Sequence, residues 1–431
     1  MRLSTSQLAL QGVNNILSQQ ASLSKTQAQL ASGKQILNPS DDPAGASRIL
    51  ELDKAINTVD RYNRNADQAE TRLGLSENVL SEFGNTLQRV RELSVQAANG
   101  SQDRETRAYI ASELRQAQDQ LVQLANTDDG NGEYLFAGSE TRTQPFTKTA
   151  GGTVQYNGDQ GQREVRIGPS RTIAVDNSGF DAFMKIPNGN GQYQVSENPE
   201  NEGSGIITVG DTPARLDPEE SYRVVFSEDD GGQTYTVFRV DESDEDFDPG
   251  EDPAIWDPNS PPDGVSVVQS GGDDLSSQPY EPGMTISFPS EGGQDVQVKM
   301  DGNPADGDSF NVEAAQPQSV FKSVDDLIKT LENDGDGPAM NNAINRFLAD
   351  IDQGMENVVR VRSELGARMN ALDSSRDANE GALLDLKSAK SKLEDLDYAE
   401  ASGRFNQELV GLQAAQQTYT RLQGLSLFDF I

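Results

Sequence analysis

The sequence predicts a mainly α-helical protein with a β-rich insertion, in which long helices from the two chain ends pair into a coiled coil or helical bundle around a β-rich middle. Three observations carry this. Both ends place apolar residues at steps of three, four and seven, the period of one helix face. The middle, residues 177–316, alternates apolar with polar positions between Gly- and Pro-rich turns, the strand pattern. Charge marks the same division: residues 177–320 hold 30 Asp/Glu against five Lys/Arg, within a 431-residue chain of formal net charge −35 at pH 7.

The first element spans residues 4–37, which contain no proline. Leu3, Leu10 and Leu17 fall seven apart, as do Ile16, Leu23, Leu30 and Leu37, with Val13 three before Ile16. The stripe is narrow and its flanks are Gln, Ser, Asn and Ala, so this helix suits a coiled-coil partner better than a solitary existence. Gly33 and Asn38-Pro39 end it. Asp42-Pro43 then starts the next helix, a carboxylate to cap free N–H groups before a proline suited to the first helical position. The alternative for Asp41-Asp42, a metal or acid/base site, has no His or Cys to support it.

From Ala44 to Ala98, Leu52, Val59, Ala66, Leu73, Leu80 and Leu87 repeat every seven residues, predicting a helix about 80 Å long at 1.5 Å per residue. Residues 103–126 continue as a shorter helix, and Tyr134-Leu135-Phe136 reads as an apolar plug. Short strands are expected at Val154–Tyr156, Glu164–Ile167 and Thr172–Val175. In the acidic middle, Tyr222, Val224 and Phe226 pair with Tyr235 and Val237 as a hairpin, and Met284–Phe288 with Val296–Met300 as a second. The run Asp241 to Pro262, with the single Trp256, reads as a long exposed loop. Helical periodicity resumes at Phe321–Leu331 and again from Ala339, where it runs proline-free to the terminus. It passes through Leu383, Leu386, Leu393, Leu396, Phe405, Leu409, Leu412, Ala415, Tyr419, Leu422 and Leu425.

Composition excludes several functions. With no His and no Cys, the usual Ser-His-Asp and Cys-His triads and the common zinc sites are ruled out. No cofactor and no metal site is predicted, and the chain is read as not an enzyme. A Ca²⁺ site in the Asp241–Pro262 loop or at Asp301, Asp306 and Asp308 is the minority alternative, and its spacing does not match an EF-hand. The strong negative charge argues against nucleic acid and anionic membranes as partners. No run reaches the roughly 18 apolar residues of a membrane span, and the N-terminus MRLSTSQLAL has no basic-then-apolar signal. The chain therefore reads as cytosolic unless exported by a route that cleaves nothing.

Six pieces carry a family likeness: Leu30–Ile49 (LASGKQILNPSDDPAGASRI), Glu133–Phe146 (EYLFAGSETRTQPF), Val154–Gly168, Asp306–Val312, Ser363–Asp373 (SELGARMNALD) and Leu412–Ile431 (LQAAQQTYTRLQGLSLFDFI). In this order and spacing the chain resembles the flagellin superfamily, and within it the hook-associated protein 3 group on the filament side of the hook–filament junction. Filament flagellins are the near alternative. They usually carry Asp-Asp-Ala-Ala-Gly and a Leu-Leu-Arg close, where this chain has Asp41-Asp42-Pro43-Ala44-Gly45 and ends Phe428-Asp429-Phe430-Ile431.

The resemblance implies a structural subunit with 1–43 and 386–431 as an inner terminal coiled-coil domain, 44–176 and 317–385 as a helical bundle domain with β-hairpin elements, and 177–316 as an acidic β-rich outer domain. It further implies export by the flagellar type III apparatus, a ring-like homo-oligomer, contacts with a hook-side junction protein and with flagellin, and an export chaperone. Val13, Ile16, Leu23, Leu30, Leu409, Leu412, Tyr419, Leu422 and Leu425 are the expected assembly contacts. An adhesin or glycan-binding role for 177–316 is the alternative from another class.

Overall fold

The computed structural model describes residues 5–99, 103–149, 151–229, 232–241, 247, 252–333 and 337–428, with the side chains of residues 5, 6, 8, 9, 229 and 422–428 left aside. The described residues include six α-helices: α1 (Thr5–Ser32), α2 (Pro43–Ala97), α3 (Arg104–Ala125), α4 (Val320–Glu332), α5 (Pro338–Glu394) and α6 (Tyr398–Phe428). Their order, helices then strands then helices, is the one the periodicity predicts. The chain divides into two units: residues 1–67, 166–171 and 372–431, and residues 68–165 and 172–371.

The first unit contains α1, the start of α2, the end of α5, and α6. Asp42 caps α2 as expected, its Oδ1 accepting from Ala44 N at 3.1 Å and Gly45 N at 3.0 Å. Asp41 accepts from Leu37 N and Asn38 N at 3.2 and 3.0 Å, and the Lys25 ammonium 2.8 Å away is the main cause of its lowered pKa. Here α2 and α5 run antiparallel, tied by Lys390–Asp53 at 2.7 Å and Arg376–Asp67 at 2.8 Å. The apolar stripe is only half-covered: Leu52, Ile56, Val59, Leu383, Leu386 and Leu393 are all partly exposed. Residues 166–171 are held by Asn65 Nδ2 on Arg166 O (2.7 Å), Asn379 Nδ2 on Ile167 O (3.0 Å) and Arg171 Nη1 on Ser375 Oγ (2.7 Å).

One departure from the sequence reading lies here. The proline-free run from Ala339 is not one helix. It breaks at Asp395-Leu396-Asp397, where the Asp397 carboxylate caps α6 by accepting from Ala399 N at 2.9 Å and Glu400 N at 3.2 Å.

The second unit is packed throughout. Leu73, Leu80, Phe83, Leu87 and Val90 of α2 are fully buried, as are Ile344, Ile351 and Leu365 of α5. The two helices are again antiparallel, joined by Arg362–Glu77 at 2.6 Å and Arg91–Asp352 at 2.7 Å. The apolar plug is real: Leu135 and Phe136 are fully buried. Phe136 stacks edge-on against Phe183 at 5.1 Å, and Phe183 lies 4.4 Å from Phe83.

The two larger sheets among the described residues of the middle share a core. One runs Val265–Val267, Gly232–Val240, Ser221–Asp229, Ser309–Ala314, Tyr193–Glu197, with Gln278–Pro279 also on Gly232–Val240; the other runs Thr285–Pro289, Asp295–Asp301, Ile206–Val209. Both predicted hairpins form in register, Val224 opposite Val237 and Ile286 opposite Val298. Tyr222, Val224, Phe226, Phe310 and Val312 of the first sheet share a core with Ile286, Phe288, Val296, Val298 and Met300 of the second. The loop around Trp256 corrects the reading of an exposed segment. Trp256 is 5% exposed, packed edge-on against Phe238 at 5.4 Å, with the Arg223 guanidinium 5.0 Å over its ring. Residues 242–246 and 248–251 of that loop lie outside the described residues.

A buried ionic cluster joins α2 to the loops of this unit. Arg72 donates from Nη1 to Asp129 at 3.1 Å, from Nη2 to Tyr134 O at 2.9 Å, and from Nε to Asp176. Arg163 pairs with Glu133 at 3.0 Å and with Asp176 at 3.3 Å. Burial pushes the Asp176 carboxyl above its ordinary range, opposed by the hydrogen bond and charge of Arg72 and by the charge of Arg163. Removing one member of such a set strands the others away from water. Arg72→Met is therefore expected to destabilise this unit by about 3–5 kcal/mol, read as a lower urea midpoint. A loss under about 1 kcal/mol would show that water reaches the cluster.

Asp350 on α5 accepts from Gly189 N at 2.8 Å and from Gln318 Nε2 at 3.2 Å. Burial pushes its carboxyl up to about 6, opposed by Gly189 N, Arg346 and Lys322 and assisted by Asp326. A carboxyl raised in the folded state contributes stability that is complete below its unfolded value near 3.8 and is lost as pH rises through about 6. Asp350→Asn should therefore stabilise the unit relative to the parent at pH 8, by about 1–2 kcal/mol because the side chain keeps some solvent contact, and not at pH 3.5. Paired thermal melts at the two pH values check this; an equal offset at both would contradict it.

Candidate assembly interface

α1 and α6 pack on each other along most of their length. Gly12 lies under the Tyr419 ring, Gly411 faces Gln19, and Arg404 Nη2 donates to Gln29 Oε1 at 3.2 Å. Residue numbers rise on one helix as they fall on the other, so the pair is antiparallel. A Cβ at position 12 would sit 3.0 Å from Tyr419 Cδ2, so glycine there lets the ring lie against the α1 backbone.

The seam is thin. Ile16, Leu23 and Leu30 from α1 and Phe405, Leu412, Ala415 and Tyr419 from α6 are each only partly buried. The fully buried positions are Thr26, Gln29 and Ala401, two of them polar. Glu408 brings a carboxylate oxygen out of solvent with no hydrogen-bond partner. Such a seam removes little apolar surface from water and spends part of it on polar groups.

The outer face carries what the seam does not. Leu10 is 65% exposed, Leu17 56% and Val13 37%, at i, i+3 and i+7 on one side of α1. Leu409 and Val410 are 36% and 62% exposed on α6. Of the nine residues expected at an assembly contact, Val13 and Leu409 face outward, and Ile16, Leu23, Leu30, Leu412 and Tyr419 lie along the seam. The side chains of Leu422 and Leu425 fall outside the described residues. Leu10 and Leu17 were absent from that expected set although their seven-residue spacing is in the sequence. Val410 sits one residue off the stripe, where periodicity carries no signal.

Chemistry of other kinds has little to work with. Among the described residues no group of three or more acidic side chains is placed to hold a metal ion. Asp301, Asp306 and Asp308, the calcium alternative, instead bind backbone: Asp308 accepts from Glu202 N at 2.8 Å and Ala305 N at 2.7 Å, Asp306 from Glu228 N at 3.1 Å, and Asp301 from Gly302 N at 2.8 Å. No described helix is long and apolar enough to cross a membrane.

The comparisons with known proteins fall on the same helices. Residues 3–141 match the bacterial flagellin N-terminal helical region, and residues 348–431 the bacterial flagellin C-terminal helical region. The flagellar hook-associated protein 3 of Salmonella typhimurium is 35% identical over 186 residues, 43% of this chain and 58% of that protein. The chain thus spans less than two thirds of the length of this curated relative. A flagellin of Salmonella berta is 28% identical over 234 residues, 51% of this chain and 44% of that flagellin. Among solved structures, flagellar hook-associated protein 3 from Legionella pneumophila superposes with a TM-score of 0.67 at 30% identity, covering 80% of this chain and 98% of that one. By sequence and by fold, the chain belongs to the flagellar hook-associated protein 3 family, within the flagellins.

Proposed function

We propose that this chain is a structural subunit of the bacterial flagellum that forms the junction between hook and filament. It assembles through its terminal helices and leaves the cell through the flagellar type III apparatus. The observation that carries the reading is the outward apolar stripe Leu10, Val13 and Leu17 on a helix pair whose own seam is thin. A surface of this kind is covered when neighbouring subunits supply the missing face, and the ordering cost of the terminal helices is offset at that moment.

In this reading residues 1–43 and 386–431 form the inner terminal domain, 44–176 and 317–385 the helical bundle domain, and 177–316 the acidic outer domain. The subunit closes into a ring with copies of itself, meets a hook-side junction protein on one rim and flagellin on the other, and is held by an export chaperone beforehand. The name of the Salmonella relative, a hook-associated protein, favours the junction over the filament. The flagellin relative keeps a filament subunit as the second reading.

Deletion of the gene separates the two. Loss of a junction protein is expected to leave hooks while flagellin is secreted unassembled; purified protein that grows long filaments by itself would establish the filament reading instead. At residue level, Leu10→Asp with Leu17→Asp is expected to abolish incorporation into the flagellum. The main unfolding transition of the free protein should shift by no more than about 0.5 kcal/mol, because both side chains are exposed before assembly. Normal motility in that double variant would remove the stripe from the interface.

A further inference from the structure

An asparagine followed by glycine is open to spontaneous loss of its side-chain amide, because a residue without a Cβ leaves the attacking backbone nitrogen unshielded. The chain has five such pairs: Asn99-Gly100, Asn131-Gly132, Asn157-Gly158, Asn188-Gly189 and Asn190-Gly191. Gly100 lies outside the described residues. Three of the other pairs are held. Asn188 is buried, its Nδ2 donating to Gln194 at 2.6 Å, and Gly189 N donates to Asp350 at 2.8 Å. Asn190 Nδ2 donates to Gly210 O at 3.1 Å, its Oδ1 accepts from Gln192 N and Tyr193 N, and Gly191 N donates to Asn188 O at 3.1 Å. Asn157 Nδ2 donates to Thr147 Oγ1 at 2.9 Å, and Gly158 is crowded by the Tyr156 hydroxyl and Ala137 O.

Asn131-Gly132 differs on each count. Both residues are exposed, and Gly132 N has no hydrogen-bond partner among the described residues. A Cβ at position 132 would meet nothing within 4 Å, so the backbone there has room to turn. The Asn131 amide reaches the Asp129 carboxylate, at the surface of the loop. Gly132 lies at φ +81°, which requires glycine, so the turn itself keeps the labile pair in place. The chemistry needs only water and hydroxide. Gly132 N gives its proton to hydroxide and attacks Asn131 Cγ. The N–Cγ bond forms, the Cγ–Nδ2 bond breaks, and ammonia leaves with a proton from water. A second water opens the cyclic imide at either carbonyl, leaving an aspartate or an isoaspartate at position 131.

We propose that Asn131-Gly132 is a site of spontaneous deamidation in the folded protein, and that its product weakens the Arg72 cluster, so that the second unit loses stability as the molecule ages. The link is the loop itself. Asp129 Oδ1 accepts from Asn131 N at 2.9 Å and Glu133 N at 3.2 Å, and Asp129 N donates to Glu133 O at 2.9 Å. Those same two side chains are partners of Arg72, with Glu133 also paired to Arg163. Either product sets a new carboxylate between Asp129 and Glu133, where three acids already face two arginines. Isoaspartate also adds a methylene to the backbone between them and disturbs the bonds that close the loop. The site depends only on contacts within the chain and stands or falls independently of hook and filament.

Trypsin separates the pairs: Asn131 falls in residues 116–142, Asn157 in 149–163, and Asn188 with Asn190 in 186–215. The full-length protein is held in mildly alkaline buffer for several days, folded or in urea, then digested. Fragment masses locate each exchange of NH₂ for OH. In the folded protein Asn131 is expected to convert about tenfold or more faster than Asn157, Asn188 and Asn190, because those must first open locally. In urea the lead should vanish. The aged folded protein should also show a lower urea midpoint than an Asn131→Gln variant aged beside it, while the two start equal. Conversion of Asn131 no faster than the held pairs overturns the proposal, as does a lead that persists in urea, which would assign it to local sequence. Full conversion at Asn131 with an unchanged midpoint overturns the link to the Arg72 cluster.

Discussion

The constraint on which this molecule turns is that a helix with a narrow apolar stripe cannot bury that stripe alone. α1 and α6 answer it by lying antiparallel, yet the answer is partial. Ile16, Leu23, Leu30 and Leu412 stay partly exposed, Thr26 and Gln29 occupy buried positions, and Leu10 and Leu17 face away altogether. A pair built in this way is held by little apolar area and presents more of it outward. That combination suits a subunit whose terminal helices are completed by neighbours.

The same heptad pattern has two outcomes in one helix. Along the part of α2 in the first unit, Leu52, Ile56 and Val59 are partly covered; along the part in the second unit, Leu73, Leu80 and Leu87 are fully buried. The difference is what each stretch packs against. The second unit adds α3, α4, the Phe83–Phe183–Phe136 aromatic group and the Arg72 cluster, and so closes its core within one chain. Among its described residues the first unit has four helical segments, their short connections and residues 166–171 to do the same.

Much of this was legible from residue order. Helix positions, both hairpins, the Asp42 cap and the family likeness all follow from short-range patterns, because period, turn chemistry and capping are local properties. The candidate interface was legible in part. Spacing located the stripes, but not which of two heptad sets on α1 faces α6: Ile16, Leu23 and Leu30 do, while Leu10 and Leu17, on an equally regular spacing, do not.

By itself the sequence determined the alternation of helix and strand, the absence of His- or Cys-based chemistry, and the narrow stripes that require a partner. Tertiary structure alone decided three things. It put Trp256 inside, from a run whose charge and prolines read as an exposed loop. It gathered Arg72, Asp129, Glu133, Arg163 and Asp176 into one cluster across more than 100 residues of chain. It set the residues after α1 against the break at Asp395–Asp397, with Leu396 N on Gly33 O and Gln35 N on Glu394 O. In each case the deciding partner is remote in sequence, and a hydrogen bond or contact from a distant segment overrides the local preference that a linear reading can see.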